Sequence, residues 1–345
     1  MVSEISIEEY FSHLNNIPVI DVRSPIEFQK GHVPFAHNIP LFSNEERAHI
    51  GTVYAKQSQE KALKLGYEYV QPKLENFIVE SEKIAPQKEV TVHCWRGGMR
   101  SHAFAEHLSS HGFNKVYLIT GGYKSYRNYV LQSFNKGVKL IIIGGYTGSG
   151  KTEILKQLHE DDMQVIDFEG IANHKGSAFG GIGKLNQPTS EQFENNLFDE
   201  WKKLDFSKYL LLEDESFSIG SVNLPTALYK KMCDAPLLFI DIPKEERARF
   251  LVSEYANIDK QALANALKRI SKRLGDENTK AAIEFLEKEN YYKVAMITLK
   301  YYDKAYHEVL THRVSSTVFT IKSNKVNHKE NAVLLKKYLE SKNYE

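Results

Sequence analysis

Short apolar runs recur along the chain, separated by stretches whose apolar residues return every three or four positions. The first kind reads as buried strand and the second as helix packed on one face. Ser6 and Glu9 have the spacing of a capping box ahead of an amphipathic segment ending near Asn15, and Pro18-Val19-Ile20-Asp21-Val22 then reads as a buried strand. Ser24-Pro25-Ile26-Glu27 repeats the start signal, with a cap, a proline at the first helical position and an acid at the third. A long helical stretch over residues 57–83, a strand at Glu89-Val90-Thr91-Val92-His93, a helix over 101–110 and a strand at Val116-Tyr117-Leu118-Ile119 follow, the last closed by Gly121-Gly122. Alternation of this kind predicts a parallel sheet covered by helices.

The pattern restarts at Lys139. Strands are expected at residues 140–143, 164–167, 209–212, 237–241 and 318–321, with helices over 190–204, 245–255 and 261–274 between them. The fold class is therefore α/β in two domains, divided as 1–130 and 138–345. The join over 123–137 is rich in Tyr, Ser, Asn and Lys, and its aromatics predict a packed helix rather than a loose tether. Residues 324–345 read as a lysine-rich terminal helix with no assignable task.

Composition bounds the function without naming it. A chain of 345 residues with formal net charge +1 gives no global attraction for nucleic acid, so such a partner must meet a local basic patch. Only Cys94 and Cys233 occur, which argues against a disulfide scaffold and fits a reducing cytoplasm. No stretch approaches the roughly 20 apolar residues of a membrane helix, and the first ten residues lack the basic and apolar regions of a signal peptide. A cytoplasmic protein with no membrane association is expected.

Two motifs carry chemistry. Cys94 sits in His93-Cys94-Trp95-Arg96-Gly97-Gly98-Met99-Arg100-Ser101, at the end of a predicted strand and before a predicted helix. Gly97 and Gly98 free the backbone to turn N–H groups inward, Arg96 and Arg100 add fixed cations, and Ser101 is placed to cap the helix whose positive end faces the sulfur. That combination makes Cys94 a candidate nucleophile. About fifty residues later, Gly145-Tyr146-Thr147-Gly148-Ser149-Gly150-Lys151-Thr152 follows the strand Leu140-Ile141-Ile142-Ile143 and matches a phosphate-cradling loop at every specified position. Lys151 is expected to reach terminal phosphates and Thr152 to ligate magnesium, the candidate ion. Glu213-Asp214-Glu215 lies at the end of another strand, with Glu213 and Asp214 the candidate metal or base carboxylates. Arg269, Lys272 and Arg273 have spacing that puts them on one helical face, and His174 and Lys175 lie in a glycine-rich loop running to Gly181, so these five are candidate contacts to an anionic substrate or RNA.

Ile20-Asp21-Val22-Arg23-Ser24-Pro25, Glu27-Phe28, Gly31-His32-Val33-Pro34, Ala36 and Asn38-Ile39-Pro40 resemble the rhodanese domain, which the cysteine loop and Gly121-Gly122-Tyr123 continue in the required order. His93-Cys94, five residues, then Arg100-Ser101 also fits the signature of cysteine phosphatases, but Trp95, Arg96 and Met99 offer no general acid. Rhodanese-like residues followed by the phosphate loop, with Gly51-Thr52-Val53-Tyr54-Lys56, Asp167-Phe168-Glu169-Gly170, Leu212-Glu213-Asp214-Glu215-Ser216 and Arg269-Ile270-Ser271-Lys272-Arg273 in order, resemble the tRNA 2-selenouridine synthase family over roughly residues 8 to 313.

The resemblance implies an N-terminal rhodanese-like domain, a C-terminal P-loop NTPase-like domain and a transferase acting on tRNA. It implies S-geranylation of the wobble 2-thiouridine by geranyl diphosphate, then selenium insertion from selenophosphate, with Cys94, Arg96 and Arg100 serving the selenium step. Gly145, Gly148, Ser149, Gly150, Lys151 and Thr152 would hold the diphosphate, and Arg23 joins the candidate contacts. No tightly bound cofactor is expected. The residues alone leave open an alternative, a nucleotide-dependent kinase or NTPase carrying a rhodanese-fold phosphatase or sensing module.

Overall fold

The computed structural model describes residues 1–176, 186–255, 258–311, 313, 317–342 and 344. It divides into two compact units, Met1–Ser133 with Glu194–Asp199, and Phe134–Phe193 with Glu200–Glu345.

The first unit contains β1 (Val2–Ile5), α1 (Ile7–Glu9, running on as a π turn over Tyr10–Leu14), β2 (Val19–Asp21), α2 (Pro25–Lys30), β3 (His37–Asn38), α3 (Asn44–Lys56), α4 (Gln59–Val70), α5 (Leu74–Ile84), β4 (Glu89–His93), α6 (Met99–Ser110), β5 (Lys115–Ile119) and α7 (Gly122–Ser133). The strands form one parallel sheet in the order β1-β5-β4-β2-β3. Ile20, Val22, Val90, Val92 and Val116 are wholly buried in it. Each such side chain contributes about 1.5–3 kcal/mol of apolar transfer energy, which holds β4, and hence the loop after it, at the sheet's centre.

The long helix expected over 57–83 is two helices. Ser58 caps α4, and a 3-10 turn at Gln71–Lys73 separates it from α5. Pro72 lacks the N–H that a continuous helix would need there. The edge strands β1 and β3 and the helix α3 had no counterpart in the periodicity.

The second unit contains β6 (Lys139–Gly145), α8 (Lys151–Glu160), β7 (Gln164–Val165), α9 (Phe168–Ala172), α10 (Ser190–Trp201, whose residues 194–199 belong to the first unit), β8 (Tyr209–Glu213), the hairpin strands β9 (Ser218–Ile219) and β10 (Val222–Asn223), α11 (Thr226–Asp234), β11 (Leu237–Asp241) and α12 (Lys244–Tyr255). Beyond these lie α13 (Lys260–Arg269), α14 (Ser271–Leu274), α15 (Asp276–Glu287), α16 (Tyr291–Thr311), β12 (Val318–Lys322) and α17 (His328–Ser341). Its parallel sheet runs β12-β11-β6-β8-β7. Ile141, Ile143, Leu211, Leu238 and Ile240 bury one face against α8 and α17, and α12 to α16 form a second apolar cluster around Leu263, Leu267, Leu286 and Leu299. β6 lies between β11 and β8, so the loop after it opens at the carboxyl edge of the sheet, where open α/β sheets bind ligands.

The helix expected over 261–274 breaks at Ile270, whose φ of −93° and ψ of 3° end α13. Arg269 therefore ends one helix while Lys272 and Arg273 belong to a separate short turn, and the three do not share one continuous helical face.

Candidate active sites: a thiolate nest and a phosphate loop

Cys94 follows β4 and is 3 % exposed. The chain must reverse tightly to bring α6 over it, and two glycines allow this. Gly97 has φ +64° and Gly122 φ +57°, and a Cβ on Gly122 would lie 2.4 Å from the Cys94 carbonyl oxygen and 2.5 Å from the Gly97 nitrogen. Both would strain or clash with any other residue. The Tyr123 N–H donates to the Cys94 carbonyl at 2.9 Å, tying this loop to the start of α7.

The sulfur accepts from the Gly98 N–H at 3.3 Å and from the Ser101 hydroxyl at 3.3 Å. Ser101 does not cap α6, since Gly98 holds the N-cap position. Its hydroxyl is instead within reach of the sulfur and of the Gly98 carbonyl at 3.1 Å. Burial pushes the thiol pKa up, but the Ser101 hydroxyl, the Arg100 charge and the backbone N–H groups outweigh it, and the net shift is downward. Arg100 is shared with Glu27, at 2.9 Å, so its charge is partly neutralised. Arg96 is exposed and free to meet a ligand.

Under this loop is a buried polar group. Arg23, 1 % exposed, donates to Asp21 at 2.6 Å and to the Gly31 carbonyl at 2.7 Å, and its guanidinium carbon lies 3.8 Å from the Tyr123 ring centroid. A guanidinium so committed braces the loop from beneath; the expectation of a substrate or tRNA contact at Arg23 is corrected to this bracing position. His93 is fully buried, with Nδ1 3.8 Å from Asp21; burial lowers its pKa more than Asp21 raises it.

In the second unit, β6 leads into a loop in which Gly148 and Gly150 take φ of +81° and +70°. Gly145 approaches β11 so closely that a Cβ would sit 2.8 Å from Ile240 Cγ2. Lys151 opens α8 and lies 3.1 Å from the Gly145 carbonyl and 3.4 Å from Glu213. The Thr152 hydroxyl lies 3.0 Å from both Glu169 and Glu213. Glu169, Glu213 and Glu215 bring ligand oxygens within 4.8 Å of one another. Burial, then the charge of Glu213, raises Glu169 to about 7; burial, then Glu213 and Glu169, raises Glu215 to about 8. Burial works against the Lys151 ammonium, but Glu213, Glu215 and Glu169 outweigh it and raise its pKa.

Asp214, expected as a metal or base carboxylate, is committed elsewhere. It accepts from Arg313 at 2.9 Å and from the Tyr306 hydroxyl, and Tyr306 in turn accepts from the Gly145 N–H at 3.3 Å. The chain turns tightly after β8, the Glu215 N–H donating to the Glu213 carbonyl at 2.9 Å, and Glu215 joins Glu213 in the cluster while Asp214 is held by Arg313 and Tyr306. Arg247, 2 % exposed, braces the loop through the Thr147 carbonyl at 3.0 Å and pairs with Asp303 at 2.8 Å.

Two family models match in tandem, "Rhodanese-like domain" over residues 6–129 and "tRNA 2-selenouridine synthase AAA domain" over residues 138–334. A tRNA 2-selenouridine synthase of Sulfurovum sp. (strain NBC37-1) is 36 % identical over 341 residues, covering 89 % of this chain and 92 % of that protein. The chain belongs to the tRNA 2-selenouridine synthase family. Another synthase, of Hydrogenovibrio crunogenus, is 34 % identical over 85 % of this chain and 89 % of its own length, and one of Proteus mirabilis is 40 % identical over 70 % and 66 %.

Within this synthase-family chain, Cys94, Arg100 and Ser101 come together in the first unit, and Lys151, Thr152 and Glu213 in the second. Lys175 is paired with Glu254, and His174 is half-buried with Nδ1 lacking a hydrogen-bond partner among the described residues. The rest of that glycine-rich loop, residues 177–181, lies outside the described residues. Arg269, Lys272 and Arg273 are exposed. Glu169 and Glu215 were not among the candidate carboxylates. Glu215 stands in the acidic run that follows β8, whereas Glu169 reaches the cluster only through the packing of α9.

Proposed function

We propose that the protein is a tRNA-modifying transferase that converts wobble 2-thiouridine to 2-selenouridine in two stages. Geranyl diphosphate first alkylates the thiocarbonyl sulfur: a C–S bond forms, the allylic C–O bond breaks, pyrophosphate leaves and the uracil N3 proton is lost. Selenium from selenophosphate then attacks C2, the geranylthiolate departs, and hydrolysis of the P–Se bond releases phosphate. Alkylation is useful because it turns a poor leaving group into a good one.

The observation that carries this reading is one chain with two differently built anion sites. The nest around Cys94 stabilises a soft, polarisable anion through an N–H, a hydroxyl and a guanidinium, which suits a chalcogen. The loop from Gly145 to Thr152 offers backbone donors and Lys151 to a diphosphate. A divalent cation fits beside it, because Glu169, Glu213, Glu215 and the Thr152 hydroxyl form an all-oxygen donor set in which burial and the Glu213 charge raise the pKa of Glu169 and Glu215. Such an ion, when bound, would neutralise charge developing on a diphosphate leaving group. Glu213 and Thr152 would hold it, and Lys151 would turn from Glu213 toward the phosphates.

Mass spectrometry of nucleosides from tRNA incubated with the protein tests the proposal. Geranyl diphosphate alone should yield the S-geranyl nucleoside, and adding selenophosphate should yield 2-selenouridine. Steady ATP or GTP hydrolysis with no modified nucleoside would replace it with the NTPase reading.

A further inference from the structure

α16 is the helix that braces the phosphate loop, and its outward face carries an unpaired basic stripe. Helical geometry places Lys293, Lys300 and Lys304 within about 40° of one another around the axis and spreads them over about 16 Å of its length. All three are exposed, and none has an ion pair or side-chain hydrogen bond among the described residues. Elsewhere in this unit Lys175, Lys203, Lys260 and Lys325 each have an acid partner; what sets the α16 lysines apart is their alignment along one exposed helical face. The acids of α16 itself do not neutralise the stripe: Asp303 is taken by Arg247 at 2.8 Å, and Glu308 lies at its edge with no ion pair among the described residues. Lys300 and Lys304, four apart, repel at a cost of about 0.2–0.5 kcal/mol.

The stripe is flanked by more cations. Lys244, at the start of α12, is close enough to Lys300 to feel its charge. On the other side Arg273 reaches the Tyr301 hydroxyl at 3.3 Å, setting a guanidinium beside an aromatic ring. The opposite side of the same helix holds Tyr306 to the Gly145 N–H, and Asp303, on the flank between, holds Arg247, which grips the Thr147 carbonyl.

We infer that this face of α16 is a binding track for the phosphate backbone of tRNA. The inference rests on the tRNA reading above and adds where in the second unit the RNA lies. A polyanionic strand neutralises charges that the protein itself leaves unpaired, and it does so along the helix that sets the phosphate loop. Tyr301 beside Arg273 offers a surface on which an unpaired base can stack.

The test measures full-length chain binding to unmodified tRNA by fluorescence anisotropy across a salt series. Lys293→Ala/Lys300→Ala/Lys304→Ala should weaken binding by at least about tenfold and make the slope of log K against log salt shallower by about 2 to 3. Inorganic pyrophosphate binding and the thermal midpoint should stay at the parent values. The triple arginine variant should bind as the parent does. If the alanine variant keeps the parental affinity and slope, the track is elsewhere and only this inference fails. If the arginine variant loses affinity as well, charge is not what the face supplies, and the inference fails again. A parent chain that binds no tRNA would overturn both this and the tRNA reading beneath it.

Discussion

The cysteine loop and the phosphate loop share one architecture and balance their charges in opposite ways. Each leaves the carboxyl end of a central parallel strand, turns on glycines with positive φ, and enters the N-terminus of a helix. Around Cys94 a single potential anion meets the Gly98 N–H, the Ser101 hydroxyl and Arg100, and the surplus of Arg100 is absorbed by Glu27. Around Lys151 three glutamates confront one ammonium, and two of them are driven to about 7 and about 8. The first loop holds its reactive charge in balance by itself. The second has more acid than its own lysine can offset.

The largest effects should separate the two loops by reaction stage. Cys94→Ala should reduce selenium insertion by on the order of 10³-fold or more while leaving S-geranylation within about threefold, since the chalcogen nest serves only the selenium step. Lys151→Ala should do the reverse, weakening geranyl diphosphate use by about 10- to 100-fold, the worth of a charge-assisted hydrogen bond. Single-stage assays with tRNA already carrying the S-geranyl group read the two separately. Equal loss of both stages in either folded variant would remove the division of labour.

A smaller effect should appear in stability. The usual carboxyl value for a glutamate is 4.5, against about 7 for Glu169 and about 8 for Glu215 in the folded chain. A raised carboxyl pKa means the folded chain keeps protons that the unfolded chain has released. The resulting stabilisation is complete below the unfolded value and is lost as pH rises through about 7 and about 8. In the presence of a chelator the thermal midpoint should therefore fall by several degrees between about pH 5 and pH 9, and millimolar magnesium should restore it mainly at the alkaline end. Glu215→Gln should flatten both responses. An unchanged slope in that variant would show that the cluster does not share its charge as described.

The two loops were also legible to different depths. Both glycine turns could be read because their chemistry is local: Gly97 and Gly148 sit within a few residues of the groups they expose. The parallel sheets followed from apolar runs such as Ile141 to Ile143. What escaped the sequence is what depends on distant packing. β1 carries Glu4 and becomes a strand by pairing with β5, more than a hundred residues away. The break at Ile270 has no proline or glycine of its own, although Gly275 lies soon after. Asp214 looked equivalent to its neighbours until Tyr306 and Arg313 arrived from α16 and beyond. Arg23 read as an available cation because nothing local marks Asp21, at the end of β2, as its partner, and only the fold shows the pair buried together.

The finest test of the comparison lies at Ser101, because it asks whether the cysteine loop's balance depends on one hydroxyl. That hydroxyl has one proton and two acceptors, Cys94 Sγ at 3.3 Å and the Gly98 carbonyl at 3.1 Å. If the thiolate takes the proton, Ser101→Ala removes about 1 kcal/mol of anion stabilisation, and the Cys94 pKa should rise by a little under one unit. The thiolate fraction near neutral pH, and with it the rate of alkylation by iodoacetamide, should then fall severalfold. Cys233 is exposed and reacts too, so the rate is followed on the Cys94 peptide by mass spectrometry. A pKa that does not move would mean that the Gly98 carbonyl holds the proton, leaving the Gly98 N–H and Arg100 to lower the pKa against burial. The nest would then depend on backbone and charge alone, as the phosphate loop does, and the contrast between the two would narrow to the number of carboxylates each contains.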